Sequence, residues 1–310
     1  MALDNGELRR LGRIGMTRNH LEAFARTLCL TDHVVVEATS NATAVTEILA
    51  PYVARVAVAN PLQVHLIAKA KIKTAAIDAR VLAKLYAAGF LPEVWIPDAA
   101  TLARRRQVTR RTQLVRQRVR LKSIAQSILH ANLIPRCPHA DLFGGKGRAW
   151  LRAQYLPGDE QEAVEQHIQE YDRLTEVLKG VERDIARAAL ADPNVTRLMT
   201  IPGIDMVVAV GLMAAIGRIE RFSNPGKLAA YLGLNPTVYQ SGDGAAHHGR
   251  ITKRGRSNAR HLLLEAAWQA VRSPGPLRAF YHRVSAKRGN HIAAVAVARK
   301  LTVIIWHLQG

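Results

Sequence analysis

Val34-Val-Val-Glu-Ala-Thr39 decides the fold class of this chain. Three successive β-branched residues read as a short buried strand, since branching at Cβ stiffens the side chain and suits a pleated surface. The strand ends at Glu37. A helical pattern follows from about Ala42 to Leu49 and stops near Pro51, and a second strand reads from Arg55 to Ala59. Upstream, Thr17 can cap a helix running to about Leu28, with Leu21, Phe24, Ala25 and Leu28 on one face. Downstream, helices read at Pro61–Ala70 and near Asp78–Ala88. Strand-helix-strand-helix order at these lengths implies a parallel or mixed α/β sheet with helices packed on it.

From Ala100 to about Ala186 the character changes to two stretches of helical spacing. Leu114, Val115, Val119, Ile124, Ile128 and Leu129 keep helical spacing. Val164, Ile168, Tyr171, Leu174, Leu178, Val181 and Ile185 step by three and four like a heptad. Two long antiparallel helices are expected, joined by a Pro- and Gly-rich linker from Pro135 to Gly158. The first carries Arg104, Arg105, Arg106, Arg110, Arg111, Arg116, Arg118, Arg120 and Lys122. The second carries nine acids between Asp159 and Asp184. Two readings stand: a charge-paired coiled coil, or a basic helix that follows a nucleic-acid backbone. In the linker, Gly144-Gly-Lys-Gly147 lacks the spacing of a nucleotide-binding loop, precedes no clear helix, and reads as a flexible loop.

The last 120 residues form a third region. Leu198-Met-Thr-Ile-Pro-Gly-Ile204 leads into an apolar helix, Met206 to Ile216, and Arg221-Phe-Ser-Asn-Pro-Gly-Lys227 turns into Leu228–Leu232. Helix, Pro-Gly turn and helix suit non-specific phosphate binding; an ordinary helical hairpin has the same pattern. Next, Tyr239-Gln-Ser-Gly-Asp-Gly244 places the Ser241 hydroxyl in a glycine-flanked loop. Close behind comes Gly249-Arg-Ile-Thr-Lys-Arg-Gly-Arg-Ser-Asn-Ala-Arg260. An isolated Ser-Gly is ordinarily a surface turn. Beside Lys253, Arg254, Arg256 and Arg260 it suggests phosphate chemistry, because guanidinium groups clamp phosphate oxygens. His247-His248 belongs with this basic surface rather than with a metal site. Amphipathic and apolar helices follow near Asn258–Val271 and Ala293–His307.

With 310 residues and a formal charge of +20, the partner is expected to be polyanionic. Aromatic residues make up only 5%, so phosphate contacts rather than base stacking should dominate. A membrane partner is not expected: Met206 to Ile216, read as the longest apolar stretch, is too short to span a bilayer. Cys29 and Cys137 lack metal spacing and read as reduced thiols in a cytosolic, cytoplasmic setting.

Two carboxylates stand out. Glu37 closes a buried strand, where open α/β sheets place ligands, and Asp78 opens a helix. Together they could hold a divalent cation, although Asp at a helix start is expected from capping alone.

Several of these stretches resemble a known family. Val34-Val-Val-Glu-Ala-Thr39, Ala59-Asn-Pro61, Lys71-Ile-Lys-Thr-Ala-Ala-Ile-Asp-Ala-Arg80, Ile201-Pro-Gly203, Ala230-Tyr-Leu-Gly-Leu-Asn-Pro236, Gln240-Ser-Gly242 and Ile251-Thr-Lys-Arg-Gly255 occur in the order found in DEDD-type insertion-sequence transposases, the bridge-RNA-guided recombinases. The resemblance implies an RNase H-like (RuvC-like) domain over 1–99, a coiled-coil helical region over 100–190, and a C-terminal transposase domain over 191–310 with a helix-hairpin-helix-like element. It implies DNA cleavage and rejoining through Ser241, with Glu37 and Asp78 as metal-binding acids for Mg²⁺. It further implies DNA and a structured guide RNA as partners, and a dimer or tetramer in which the acids of one subunit work with the serine of another. Two departures follow. Ala75 stands where the family's third acid is expected. Leu3-Asp4-Asn-Gly-Glu7 resembles the hairpin that follows the strand bearing the first acid, so Asp4 is not that acid. These departures leave open a second reading, a degenerate copy that binds nucleic acid without cutting it.

Overall fold

The computed structural model describes residues 1–4, 6–67, 75–240, 242, 244 and 247–310, and the chain divides into two compact units, Met1–Pro97 and Asp98–Gly310. Ser241 and Lys71–Thr74 lie outside the described residues. The helical stretch and the C-terminal stretch, read from the sequence as separate regions, share the second unit.

The first unit opens with an antiparallel hairpin, β1 (Ala2–Asp4) and β2 (Glu7–Arg9), in which Leu3 faces Leu8 and Asp4 faces Glu7. Helix α1 (Arg18–Ala25) follows its Thr17 cap, shorter by a turn than the sequence suggests because the chain turns at Arg26 to Cys29. Strand β3 (His33–Glu37), helix α2 (Ala42–Leu49) and strand β4 (Arg55–Ala59) form the expected β-α-β unit. The strands pair in parallel, Val34 with Val56 and Glu37 with Ala59. Leu21, Ala25, Val45, Ile48 and Leu49 close the core over Val34, Val36 and Val56. Helix α3 (Pro61–Ile67) follows, and helix α4 (Ala75–Ala87) packs against both β1 and β3. Beyond β4, Glu93 bridges Ala59, so β4 is flanked on both sides and buries Ala57, Val58 and Ala59. The valines of β3 stay half-buried.

The second unit is helical. Helices α5 (Ala99–Ala131) and α7 (Gly158–Leu190) are 33 residues each, about 50 Å long at 1.5 Å per residue. They run antiparallel: Arg111 meets Glu182, Arg118 meets Tyr171, and Asn132 meets Glu160. Val164, Ile168, Tyr171, Leu174, Leu178 and Ile185 are buried as their spacing requires. The linker differs from expectation. Gly144-Gly-Lys-Gly147 begins a helix, α6 (Gly145–Arg152). Gly147 packs so closely on the Asp141 and Leu142 backbone that no Cβ would fit. Leu142, Phe143, Leu151 and Leu156 join Ala125, Leu129, Val164 and Ile168 in a small core at this end of the pair.

Helix α8 (Pro193–Met199), which the sequence did not suggest, leads through a turn at Pro202 and Gly203 into the expected apolar helix α9 (Met206–Ile216). A Cβ on Gly203 would overlap the backbone of Ala266 and Ala270, so this glycine lets the turn sit against the helix Ser257–Ala270 of the same unit. Helix α10 (Pro225–Tyr231) leads to strands β5 (Pro236–Tyr239) and β6 (His247–Ile251), an antiparallel hairpin that the sequence reading took for a loop. Helices α11 (Ser257–Ala270), α12 (Pro276–Arg288) and α13 (Asn290–Gln309) complete the unit. Helix α9 is buried from Val208 to Ile216.

Helix α13 corrects the expectation about apolar length: its 20 residues are long and apolar enough to cross a membrane by length and composition, unlike Met206–Ile216. It packs against α8, α10, α11 and α12, and Ala293, Val297, Leu301 and Ile305 sit fully inside the protein core. Its other face stays partly open, with Ile292 and Ile304 exposed.

Candidate functional site

In the first unit, Glu37 is exposed at the C-terminal end of β3, where its pairing with Ala59 ends the ladder. Asp78 is half-buried in the first turn of α4, the helix that lies on β3. Carboxylate oxygens suit a hard cation, and Mg²⁺ is commonly held by one or two carboxylates together with waters and substrate phosphates. Among the described residues no group of three His, Cys, Asp or Glu side chains is gathered for a metal. The free thiols of Cys29 and Cys137 stand apart from these acids in sequence and belong to no such group.

In the second unit, the basic residues divide by what they touch. Arg104 pairs with Asp192 at 2.7 Å. Arg111 pairs with Glu182 at 2.8 Å. Arg118 donates to the Tyr171 hydroxyl and lies over its ring, 4.5 Å from the centroid. Arg106, Arg110, Arg116 and Arg120 are exposed, with no ion-pair partner among the described residues. The acids of α7 mostly engage other groups: Asp172 binds Arg148, and Glu165 binds Arg152 at 2.7 Å. Arg111–Glu182 is the single ion pair between α5 and α7 among the described residues.

Arg105 has a different task. Its Nε donates to the Ala214 carbonyl at 2.7 Å and its Nη2 to that of Ala215 at 3.0 Å. The Arg221 Nε donates to Ile216 at 2.9 Å, and the Tyr231 hydroxyl to Ala215 at 3.1 Å. These are the last carbonyls of α9, which no helical N–H can reach. The guanidinium groups therefore cap the negative end of a buried helix. Burial first, then the neighbouring Arg256, pulls the Arg105 guanidinium below its ordinary value, and burial does the same to Arg221. Tyr231 moves the same way for a different reason. Burial alone would raise its phenol, but Arg256, Arg221 and Arg105 outweigh burial and hold it below the usual tyrosine range.

Arg256 joins this cluster to the hairpin. Its Nε donates to the Tyr231 hydroxyl at 3.0 Å, and its backbone N–H to the Tyr231 carbonyl at 3.3 Å. Arg260 donates to the carbonyls of Lys253 at 3.2 Å and Leu232 at 3.4 Å. Lys253 and Arg254 are exposed, and Lys253 is held at φ +54, a left-handed conformation that non-glycine residues adopt rarely. Residues 241 and 243 fall in the connection between β5 and β6, where the Gln240 amide donates to the Gly244 carbonyl at 3.0 Å. The structure thus gathers Lys253, Arg254, Arg256 and Arg260 at the base of the β5–β6 hairpin. Sequence reasoning missed Arg221 and Tyr231. Tyr231 was visible only as part of Ala230-Tyr-Leu-Gly, with nothing to mark its partner 25 positions later.

Two family models match this chain in order. One described as "Transposase", of the DEDD type found in IS110 elements, matches residues 2–132. One described as "Transposase IS116/IS110/IS902 family" matches residues 195–282. A putative transposase, y4qE, of Sinorhizobium fredii is 29% identical over 262 residues, covering 76% of this chain and 64% of that protein. The transposase for insertion sequence element IS1111A of Coxiella burnetii is 30% identical over 137 residues, 43% of this chain and 37% of its own. A probable family 20 transposase of Pseudomonas aeruginosa is 29% identical over 157 residues, 49% and 46% of the two chains. The chain spans less than two thirds of the length of these relatives. The DEDD match implies an RNase H-like fold for the first unit, consistent with its parallel strands and covering helices. With one model over the first unit and α5, and the other over α8 to α11 and the β5–β6 hairpin, the chain belongs to the IS116/IS110/IS902 family of DEDD transposases.

Proposed function

We propose that this chain is an insertion-sequence transposase that cleaves and rejoins DNA through Ser241. The observation that carries the reading is the base of the β5–β6 hairpin, where Lys253, Arg254, Arg256 and Arg260 converge within the segment matched by the family model. A serine is a weak nucleophile unless activated, and clustered cations stabilise both its alkoxide character and the charge that builds on phosphate. The Ser241 oxygen attacks phosphorus, a Ser–O–P bond forms, and one P–O ester bond of the strand breaks. The leaving oxygen takes up a proton. Attack by a DNA hydroxyl on the phosphoserine reverses these changes, so the bond energy is kept for rejoining.

Glu37 and Asp78 would hold a divalent cation such as Mg²⁺, which when bound neutralises phosphate charge. The chain's own part there is to supply oxygen donors from a strand end and a helix start. Partners of this reading are DNA, an RNA from the element, and further copies of the chain.

The test is a covalent protein–DNA adduct formed with Mg²⁺ on DNA carrying the ends of the element. The parent chain is expected to form it and Ser241→Ala to lose it entirely. An adduct of equal yield in Ser241→Ala would reject the nucleophile. A second reading, nucleic-acid binding without strand cleavage, is favoured by Ala75 where an acid is expected; it predicts binding of the same DNA with no adduct from either protein.

A further inference from the structure

The two feet of the β5–β6 hairpin meet at one residue that no catalytic reading uses. The departing foot, residues 232–235, leaves α10 immediately after Tyr231. The returning foot, residues 252–256, enters α11. Thr252 donates its N–H to Asn235 at 2.9 Å, and the backbones cross at two glycines. Gly233 has φ +72, and a Cβ there would press on Arg254 and Arg260. Gly255 has φ +138, and a Cβ there would overlap the Tyr231 carbonyl oxygen. Tyr231 is fixed from the opposite side. Its hydroxyl donates to Ala215 at the end of α9, its ring lies 5.3 Å from that of Phe222, and Arg221 stacks on it at 4.4 Å. The same hydroxyl accepts from Arg256. One phenol oxygen therefore bridges the buried end of α9 to the last residue of the returning foot, Arg256.

We propose that Tyr231 is a positioning residue: through its hydroxyl it holds Arg256, and through Arg256 the register of the β5–β6 hairpin. The proposal rests on the serine reading above for its consequence, but not for its geometry. Tyr231→Phe removes the oxygen and keeps the ring, so the packing on Phe222 and Arg221 survives. What is lost is an acceptor for a guanidinium and a donor to a helix-end carbonyl, bonds whose loss changes local opening by roughly tenfold.

The experiment is amide hydrogen exchange on the full chain, comparing parent, Tyr231→Phe, Arg256→Ala and the double variant, with adduct formation and DNA affinity measured beside it. Amides of β5, β6 and residues 252–256 are expected to exchange about tenfold faster in each single variant. The double variant should add little, because the two residues act through one contact. Adduct formation should slow while the affinity of Tyr231→Phe for DNA holds. Unchanged exchange in the hairpin overturns the proposal, as does faster exchange spread evenly over α9, α10 and α11, or full additivity in the double variant. Faster hairpin exchange in a protein whose parent forms no adduct leaves the positioning role standing and rejects the serine reading instead.

Discussion

Gly255 sits at φ +138, and a Cβ there would overlap the Tyr231 carbonyl oxygen, so both its conformation and its surroundings exclude a side chain. Gly255→Ala is expected to destabilise the second unit by about 1–3 kcal/mol, the usual cost of forcing a side chain into such backbone. Urea unfolding followed by circular dichroism would measure it, and a loss under about 0.5 kcal/mol would contradict the packing described. Lys253 shows the same loop under constraint, a non-glycine residue at φ +54 beside the carbonyl that Arg260 holds. The roles of these residues were half legible in the sequence. The Lys-Arg-Gly-Arg run suggests phosphate contact by composition alone. Which arginine points outward and which braces the backbone depends on contacts with α9 and α10, far away in the chain. Arg105 illustrates the point: in sequence it is one of three adjacent arginines, while in the structure it caps a helix more than 100 positions later.

Among the elements, the α5–α7 pair was legible almost completely, because a three-four apolar spacing forces a buried stripe regardless of partner. Its charges were not. The acids of α7 pair with arginines of α6 and with basic residues of α7 itself more than with α5, since a short helix fills the linker and competes for them. Hydrogen bonds from Lys122, Arg148 and Arg152 hold the carboxyls of Asp141, Asp172 and Glu165 below their ordinary values. Depressed carboxyls stabilise the folded state above the unfolded values, about pH 4, and lose that contribution as pH falls through the folded values. The end of the helix pair that carries α6 is therefore expected to be flat in stability from pH 5 to 8 and to weaken below about pH 4. The effect is modest, as the groups are largely exposed. Thermal melts of parent and Asp172→Asn across this range would show it. The parent should lose more on acidification than the variant, and equal losses would remove Asp172 from the account. The β5–β6 hairpin, by contrast, was not foreseen. Pro236-Thr-Val-Tyr239 is too short, and residues 247–251 too polar, to carry an alternating signal.

At the scale of the whole molecule, charge is unevenly spread. Residues 221–310 hold 14 Lys and Arg against two acids, Asp243 and Glu265, a net +12 of the chain's +20. Helix α5 adds nine more cations and no acid. A polyanion should therefore bind with steep salt dependence. Arg110, Arg116 and Arg120 are exposed, whereas Arg104, Arg105, Arg111 and Arg118 serve the protein itself. Reversing Arg110, Arg116 and Arg120 to Glu is expected to flatten the slope of log affinity against log salt by about one for each that touches phosphate. The fold should melt unchanged. An unaltered slope would confine the phosphate contacts to the C-terminal helices and the hairpin base.

What the sequence determined by itself is what local chemistry and short-range spacing determine: the β-α-β unit around Val34–Glu37, the two long helices, the strong positive charge and the family. Each depends on neighbours within a few turns, or on composition summed over the chain. Tertiary structure alone decided which arginines are free for a ligand, that α13 is a core helix despite its length and apolarity, and that Tyr231 and Arg256 clamp the hairpin. Those outcomes turn on which groups a distant element buries or caps, and burial is a property of the packed chain rather than of any stretch of it.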